Sequence, residues 1–215
     1  MITHLRNALA VLLALTAALN AQNLCQSAKD AVGGTEIDLA PLAGYVEVCA
    51  QDTALCHTLT DGFPPSVTTL GYFVTSDGWR AYRQAAQGFD QYLIAQLARS
   101  MSAGDIPGFK RYVHAQQGSI PDHTRLPAVL ESEGRVALGI FDETDSSISF
   151  GTVMKVRSRT DPRVGQRALV ATNSMAVIKG RVLSLYIYRA FGTPADVDTT
   201  EQLTKRWLTC LRRAN

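Results

Sequence analysis

The sequence predicts an α+β protein: an antiparallel sheet built largely from two consecutive C-terminal hairpins and flanked by helices. Three observations carry that expectation. Apolar residues recur every three or four positions after Ser76 and again after Thr193. After Gly134 the period changes to two and holds through two long hairpins. Runs of strands beside runs of helices give an antiparallel sheet with helices laid on it.

The elements follow in chain order. Residues 22–35 accommodate a short helix and end at Gly33-Gly34, a natural break. Ile37 and Leu39 alternate with polar neighbours before Pro41, and Tyr45-Val46-Glu47-Val48-Cys49 is β-rich, so both read as short strands or extended pieces. Asp61-Gly62-Phe63-Pro64-Pro65 is a loop stiffened by its prolines. Val67 to Val74 reads as a strand. Ser76 or Asp77 caps a helix whose stripe of Trp79, Tyr82, Ala86, Phe89, Leu93 and Leu97 carries it to about Met101, with Gly88 as a break or close contact. Asp105 caps another helix, with Phe109, Tyr112, Val113 and Gln116 on one side and Gly118 closing it. Pro121 to Pro127 reads as loop.

In the first hairpin Val136, Leu138 and Ile140 face one way and Asp142 to Ser146 form the turn. Ile148, Phe150, Thr152, Met154 and Val156 then share a buried face, opposite Ser147, Ser149, Lys155 and Arg157 on a wet one. Arg159 to Gly165 is a polar connection. The second hairpin runs from Ala168 to Val177, turns at Lys179-Gly180 and returns from Val182 to Ala190. Leu183, Leu185 and Ile187 lie on one face, with Ser184, Tyr186 and Tyr188 on the other; large residues on both faces suit a central strand covered on both sides. Thr193-Pro194 opens the last helix, for which Thr199-x-x-Gln202 offers a capping box. Leu203, Trp207, Cys210 and Leu211 share its sheet-packing face, and Arg212 and Arg213 suit the negative end of its dipole.

The start of the chain reads as a cleaved secretory signal over residues 1–21. Arg6 supplies the basic start, Ala8 to Leu19 is apolar apart from Thr16, and the expected cut follows Ala21, in Leu19-Asn20-Ala21, or lies a few residues earlier. A spanning helix needs about 20 apolar residues, and this run is shorter. Acylation at Cys25 is disfavoured by the bulky, polar Gln22-Asn23-Leu24 before it. Residues 22–215 are then an ordinary length for one domain, periplasmic or secreted, with no further segment apolar enough to span a bilayer. With 46% hydrophobic and 19% charged residues the chain can form a packed core. A net charge of +2 is too weak to argue for nucleic acid or an anionic membrane as partner.

All four cysteines follow the leader, which suggests two disulfides in an exported chain, with three pairings to choose from. Closeness in sequence favours Cys49–Cys56, leaving Cys25–Cys210 to tie the termini. There is no Cys-x-x-Cys and no zinc-ligand spacing.

The stretch Gly180-Arg181-Val182-Leu183-Ser184-Leu185-Tyr186-Ile187-Tyr188 leading to Trp207 resembles the PsbP/Mog1 type of α/β/α sandwich. Gly62-Phe63-Pro64-Pro65-Ser66-Val67 with Gly71-Tyr72-Phe73-Val74 is similar to uncharacterised secreted proteins of Gram-negative bacteria. Together they cover residues 36–212. The resemblance implies binding or assembly proteins without a shared active site, and no functional residue carries over from it.

Few residues carry a chemical signature. His57 lies beside Cys56, a Cys–His pair only if Cys56 stays reduced. His114 reads as a surface residue. Asp122 could orient His123, but there is no Gly-x-Ser-x-Gly, and a triad from distant residues is a spatial matter. Asp142, Glu143 and Asp145 lack the glycine and distal glutamate of a calcium loop and read as a solvated turn. Lys155, Arg157 and Arg159 project from one strand face as a candidate contact for an anion or acidic partner, in a basic stretch that continues to Arg163 and Arg167. Tyr186, Tyr188, Tyr72, Phe73 and Trp79 are either core or the lining of a ligand cleft. The expectation is an exported, non-catalytic domain that binds a protein or small ligand in the cell envelope, with no cofactor and no metal. The alternative is a hydrolase with a dispersed site using His57 or His123.

Overall fold

A computed structural model describes residues 25–32, 34–85, 88–118, 120–157 and 166–215. The expected leader at 1–21, Ala86, and the connection at 159–165 with Arg159 and Arg163 lie outside the described residues.

Among the described residues, nine strands form two sheets. Strands β1 (Lys29–Val32) and β2 (Thr35–Asp38) make a small hairpin. The other seven are β3 (Tyr45–Glu47), β4 (Val67–Thr75), β5 (Gln91–Ser102), β6 (Arg135–Thr144), β7 (Ser147–Val156), β8 (Arg167–Ile178) and β9 (Arg181–Ala190). They form one antiparallel sheet in the order β3-β4-β5-β9-β8-β7-β6. Six α-helices among the described residues lie on it: α1 (Val48–Gln51), α2 (Thr53–Thr60), α3 (Ser76–Ala85), α4 (Ile106–Gln116), α5 (Leu126–Glu133) and α6 (Ala195–Ala214). The expected α+β class and the two C-terminal hairpins, β6–β7 and β8–β9, are present.

Both faces of the sheet are covered. On one, α6 buries Trp207, Leu208 and Leu211 against Phe73, Leu93, Leu183, Leu185 and Ile187, with Ile37 and Leu39 of the N-terminal segment in the same cluster. Helix α5 adds Leu126 and Leu130 against Val136, Leu138, Val153 and Val170. The opposite face carries two separate clusters. Val48, Tyr72, Val74, Phe89 and Ile94 gather under α1–α3. Ile106 and Val113 of α4 pack on Ile148, Met175 and Val182.

Several expectations are corrected. The helix from Ser76 stops at Ala85, and Leu93 and Leu97 belong to β5 instead. A strand buried on both faces is a continuous apolar run, so a three-or-four spacing can be picked out of it by chance. Within residues 22–35, where a short helix was expected, Lys29–Val32 is instead a strand, and it pairs with Thr35–Asp38, which includes the extended piece expected at Ile37. The strand at Tyr45 ends at Glu47, whose carboxylate accepts the backbone N–H groups of Cys49 and Ala50 and starts α1. Within the Pro121–Pro127 loop, α5 begins at Leu126 with Pro127 in its first turn, where a missing N–H costs nothing. Gly134, at φ +71°, ends that helix. Ser147 and Ser149 lie under α6, not on a wet face. Register shifts in β6 move Ile140 away from the face of Val136 and Leu138, so it joins the α4 cluster.

Caps differ too. The Asp105 carboxylate accepts from Ser102 N and Oγ, one turn before α4, and Tyr112 is 61% exposed. The Thr199–Gln202 box gives way to Asp196, whose carboxylate accepts from Gly192 N and Thr193 N. The Lys179-Gly180 turn holds, both residues at positive φ as a two-residue hairpin turn requires. No described helix is long and apolar enough to cross a membrane.

Candidate functional site

Strand alternation gathers the tyrosines. On β4, β5 and β9 every second side chain points to the face that holds α1–α4, and register sets Tyr72 near Tyr92 and Tyr92 opposite Tyr188. The rings of Tyr72 and Tyr92 stack at 5.4 Å and 11°, and those of Tyr92 and Tyr188 at 4.8 Å and 18°. Tyr186 follows at 6.3 Å from Tyr188 and 19°. Phe73, one residue out of phase, points to the other face and meets Trp207 edge-on at 6.2 Å. Trp79 stacks on Tyr82 at 5.8 Å beside the row. The core reading therefore holds for Phe73 and Tyr72, one in a cluster on each face of the sheet, and Tyr186, Tyr188 and Trp79 are partly buried against the cluster of Tyr72.

Burial raises the phenols of this row above the ordinary tyrosine value. Tyr188 is pushed up to about 12, mainly by desolvation, with Tyr92 and Tyr186 adding to it. Tyr72 and Tyr92 rise for the same first reason, offset in part by the positive charge of Arg167. All three stay protonated donors at neutral pH. Arg167 lies 3.6 Å from Asp90.

Beside the row, between the α1–α3 cluster and the α4 cluster, lies a strip of polar side chains that belong to neither. Gln96 of β5 is opposite Ser184 of β9, and Asn173 of β8 is opposite Tyr186. Gln96 and Ser184 are each 5% exposed. Asn173 Oδ1 is buried and is the one buried side-chain nitrogen or oxygen without a hydrogen-bond partner among the described residues. Such an atom calls for an explanation, because an unmet buried acceptor costs about 1–3 kcal/mol.

Two of these three polar residues escaped the sequence reading. Gln96 was hidden in a run read as helix. Asn173 is an amide among apolar neighbours on its own face, Ala171 and Met175, and that interruption was the available signal. Ser184 was correctly placed on the side of Tyr186 and Tyr188.

The other candidates sit elsewhere. Lys155 Nζ is 2.6 Å from Glu131 of α5, on the α6 side of the sheet, and Arg157 is exposed beyond the end of β7. Glu143 takes a hydrogen bond from His114 at 2.9 Å and lies 3.5 Å from Lys110; the His114 contact, ahead of the charges, lowers its pKa. Asp122 caps Thr124 through N and Oγ1, and it is Asp198 that faces His123, at 3.6 Å. Cys56 is paired with Cys49 (Cα–Cα 4.8 Å), so no thiol stands beside His57. Cys25 and Cys210 form the second pair at disulfide distance (Cα–Cα 5.7 Å). Among the described residues no group of three or more His, Cys, Asp or Glu is placed to hold a metal ion.

No family model matches the chain, and no curated protein matches it. Among solved structures, it is similar to the Saccharomyces cerevisiae Ran-binding protein Mog1p, with 11% identity and a TM-score of 0.42, over 88% of this chain and 94% of that one. It is similar also to a point mutant of protein Mog1, with 12% identity and a TM-score of 0.44, over 86% of this chain and 94% of that one. Both are likenesses of outline at low identity.

Proposed function

We propose that residues 22–215 form one exported domain that binds a protein partner in the bacterial cell envelope, without chemistry of its own, through the tyrosine face. The observation that carries the reading is the row of stacked tyrosines, of which Tyr92, Tyr186 and Tyr188 are half-buried on the face of α1–α4. Tyrosine suits a docking surface because it offers a rigid apolar body with a polar tip and loses little conformational entropy on binding. Export is supported by the leader pattern at 1–21 and by the pairing of all four cysteines, which an oxidising compartment would preserve. The hydrolase alternative loses support from geometry: neither His57 nor His123 has a serine or cysteine nucleophile within hydrogen-bond reach among the described residues.

Two measurements test the reading. Intact mass of the native protein should show a chain lacking the leader and resisting alkylation until reduced. Cross-linking in an envelope extract should capture a protein through the tyrosine face. A retained leader with four alkylatable thiols would remove the export part. A capture profile unchanged by Tyr188→Ala and Trp79→Ala would remove the binding face.

A further inference from the structure

We infer that the Cys49–Cys56 disulfide is a redox latch on the tyrosine face: closed, it holds α2 in place there, and a dithiol that opens it frees α2 and widens the face the partner meets. This rests on the binding role proposed above and specifies how that face is regulated.

Apart from that bond, α2 is weakly held. It has 8 residues, below the roughly 12–15 an isolated helix needs, and none of them is fully buried. Its Leu55 and Leu59 pack, half-buried, against the cluster of Val48, Tyr72 and Val74. Its hydrogen bonds are local. Asp52 accepts from Leu55 N at 2.9 Å, Thr58 and Thr60 donate to the carbonyls of Ala54 and Cys56, and Phe63 N donates to that of Thr60. None of these reaches the sheet or a second helix. The disulfide does: Cys56, midway along α2, is joined to Cys49 of α1, next to the fully buried Val48. Cys25–Cys210 differs, because Cys210 lies in a helix that Trp207, Leu208 and Leu211 already anchor.

The two disulfides also differ in reach. Cys49 and Cys56 are half-buried beside exposed Ala50, Gln51 and His57, whereas Cys210 is 4% exposed. A thiolate has to reach a sulfur to attack it, so a dithiol meets Cys49–Cys56 first. That bond spans 7 residues of sequence against 185, so opening it gives the unfolded chain less new freedom and costs the fold less. One thiolate of the dithiol attacks a sulfur of the pair and forms a mixed disulfide as the Cys49–Cys56 bond breaks. The departing cysteine takes up a proton. The second thiolate of the dithiol then closes its own disulfide and releases the other cysteine, which is protonated in turn. Two electrons pass from the dithiol to the pair, and its two protons end on Cys49 and Cys56. With α2 released, Tyr72, 4% exposed while the latch is closed, joins the accessible row beside Tyr92.

The test titrates the disulfide-bonded protein with dithiothreitol and follows it by alkylation mapping and hydrogen exchange. Cys49–Cys56 should open at a lower dithiothreitol concentration than Cys25–Cys210. Amide protection over Thr53–Thr60 should then fall about tenfold or more while β5, β9 and α6 keep theirs. Burial holds the Tyr72 phenol above its ordinary value, so phenolate absorbance should begin at lower pH in the opened form, and Tyr72→Phe should abolish that difference. The double change Cys49→Ser with Cys56→Ser should reproduce the opened form without reductant and keep a cooperative unfolding transition. Capture of the envelope partner should rise severalfold in both opened forms. Cys25–Cys210 opening first, α2 staying protected after its bond is cut, or α2 and β5 losing protection together would each overturn the latch. Release of α2 with equal or weaker capture of a partner overturns it as a control of binding. Release of α2 with no partner captured in either state keeps the latch and removes the binding role instead.

Discussion

The two faces of the sheet handle buried polar groups in opposite ways. Under α6, Ser149 Oγ lies 2.7 Å from Ser174 Oγ, and Thr172 Oγ1 lies 2.7 Å from Thr204 Oγ1. Arg212 donates to Ser147 Oγ at 2.6 Å, and Trp207 Nε1 donates to the Leu39 carbonyl at 2.9 Å. Each of these polar atoms has a protein partner, and Cys25–Cys210 ties the segment before β1 to α6 on that side. On the tyrosine face Asn173 Oδ1 is buried without a partner. A satisfied polar layer specifies and rigidifies a core, whereas an unsatisfied group costs stability. The α6 face thus has its buried polar groups matched, and the tyrosine face retains one acceptor that is not.

Substitutions should expose that asymmetry. The largest effect is expected from Trp207→Ala, which empties a fully buried site against Phe73 and breaks the bond to Leu39. The loss should be about 3–5 kcal/mol in urea unfolding, a large share of the roughly 5–15 kcal/mol a domain has. Cys25→Ser should follow at about 2–5 kcal/mol by the same measurement, since it releases a loop spanning 185 residues of sequence. Next comes Thr204→Val. Thr204 gives its proton to the Thr200 carbonyl and accepts from Thr172, so the change strands a hydroxyl that is 1% exposed. The expected cost is about 1–3 kcal/mol, mostly recovered by adding Thr172→Val. Asn173→Leu, on the other face, should stay within about 0.5 kcal/mol or stabilise. If Thr204→Val and Asn173→Leu cost the same, the contrast between the faces is wrong.

How much of this the sequence carried depended on whether the deciding partner was local. The two C-terminal hairpins were legible because period-two alternation and the Lys179-Gly180 turn are written within a few residues. The pairing of Cys49 with Cys56 was legible for the same reason, and Cys25–Cys210 followed by elimination. Strand β5 was not, since Tyr92 to Ala95 are apolar on both faces and only the neighbours β4 and β9 make them a strand. Asp105 and Thr199 were plausible caps whose places went to Ser102 with Asp105 one turn earlier and to Asp196, a choice set by how each helix enters from its neighbour. The strip was half visible. Ser184, Tyr186 and Tyr188 fell on one face by alternation, but Gln96 and Asn173 join them only through register across three strands. That Asn173 lacks a partner is a property of the packed face, and no pattern along the chain encodes it.

The smallest expected effect is a pH response to which both faces contribute, Tyr188 from the tyrosine face and Tyr45 from the cluster under α6. Tyr188 in the fold ionises at about 12, and Tyr45, buried at β3, is likewise pushed up to about 12, while an unfolded phenol ionises near 10. A folded-state value above the unfolded one means that the unfolded chain gives up the proton first. The stabilisation is therefore whole below about pH 10 and is lost as the pH rises from there towards about 12. The phenolate absorbance of the native protein should lag that of the chain in urea, and the urea midpoint should fall over the same interval. Tyr188→Phe should remove part of the lag and soften the fall, because one phenol no longer has to ionise in a desolvated place. Tyr45→Phe should do the same from the α6 side, so the double change should leave less of the fall than either change alone. A fall untouched by Tyr188→Phe would mean that the phenols of the tyrosine face add nothing to the alkaline limit of the fold.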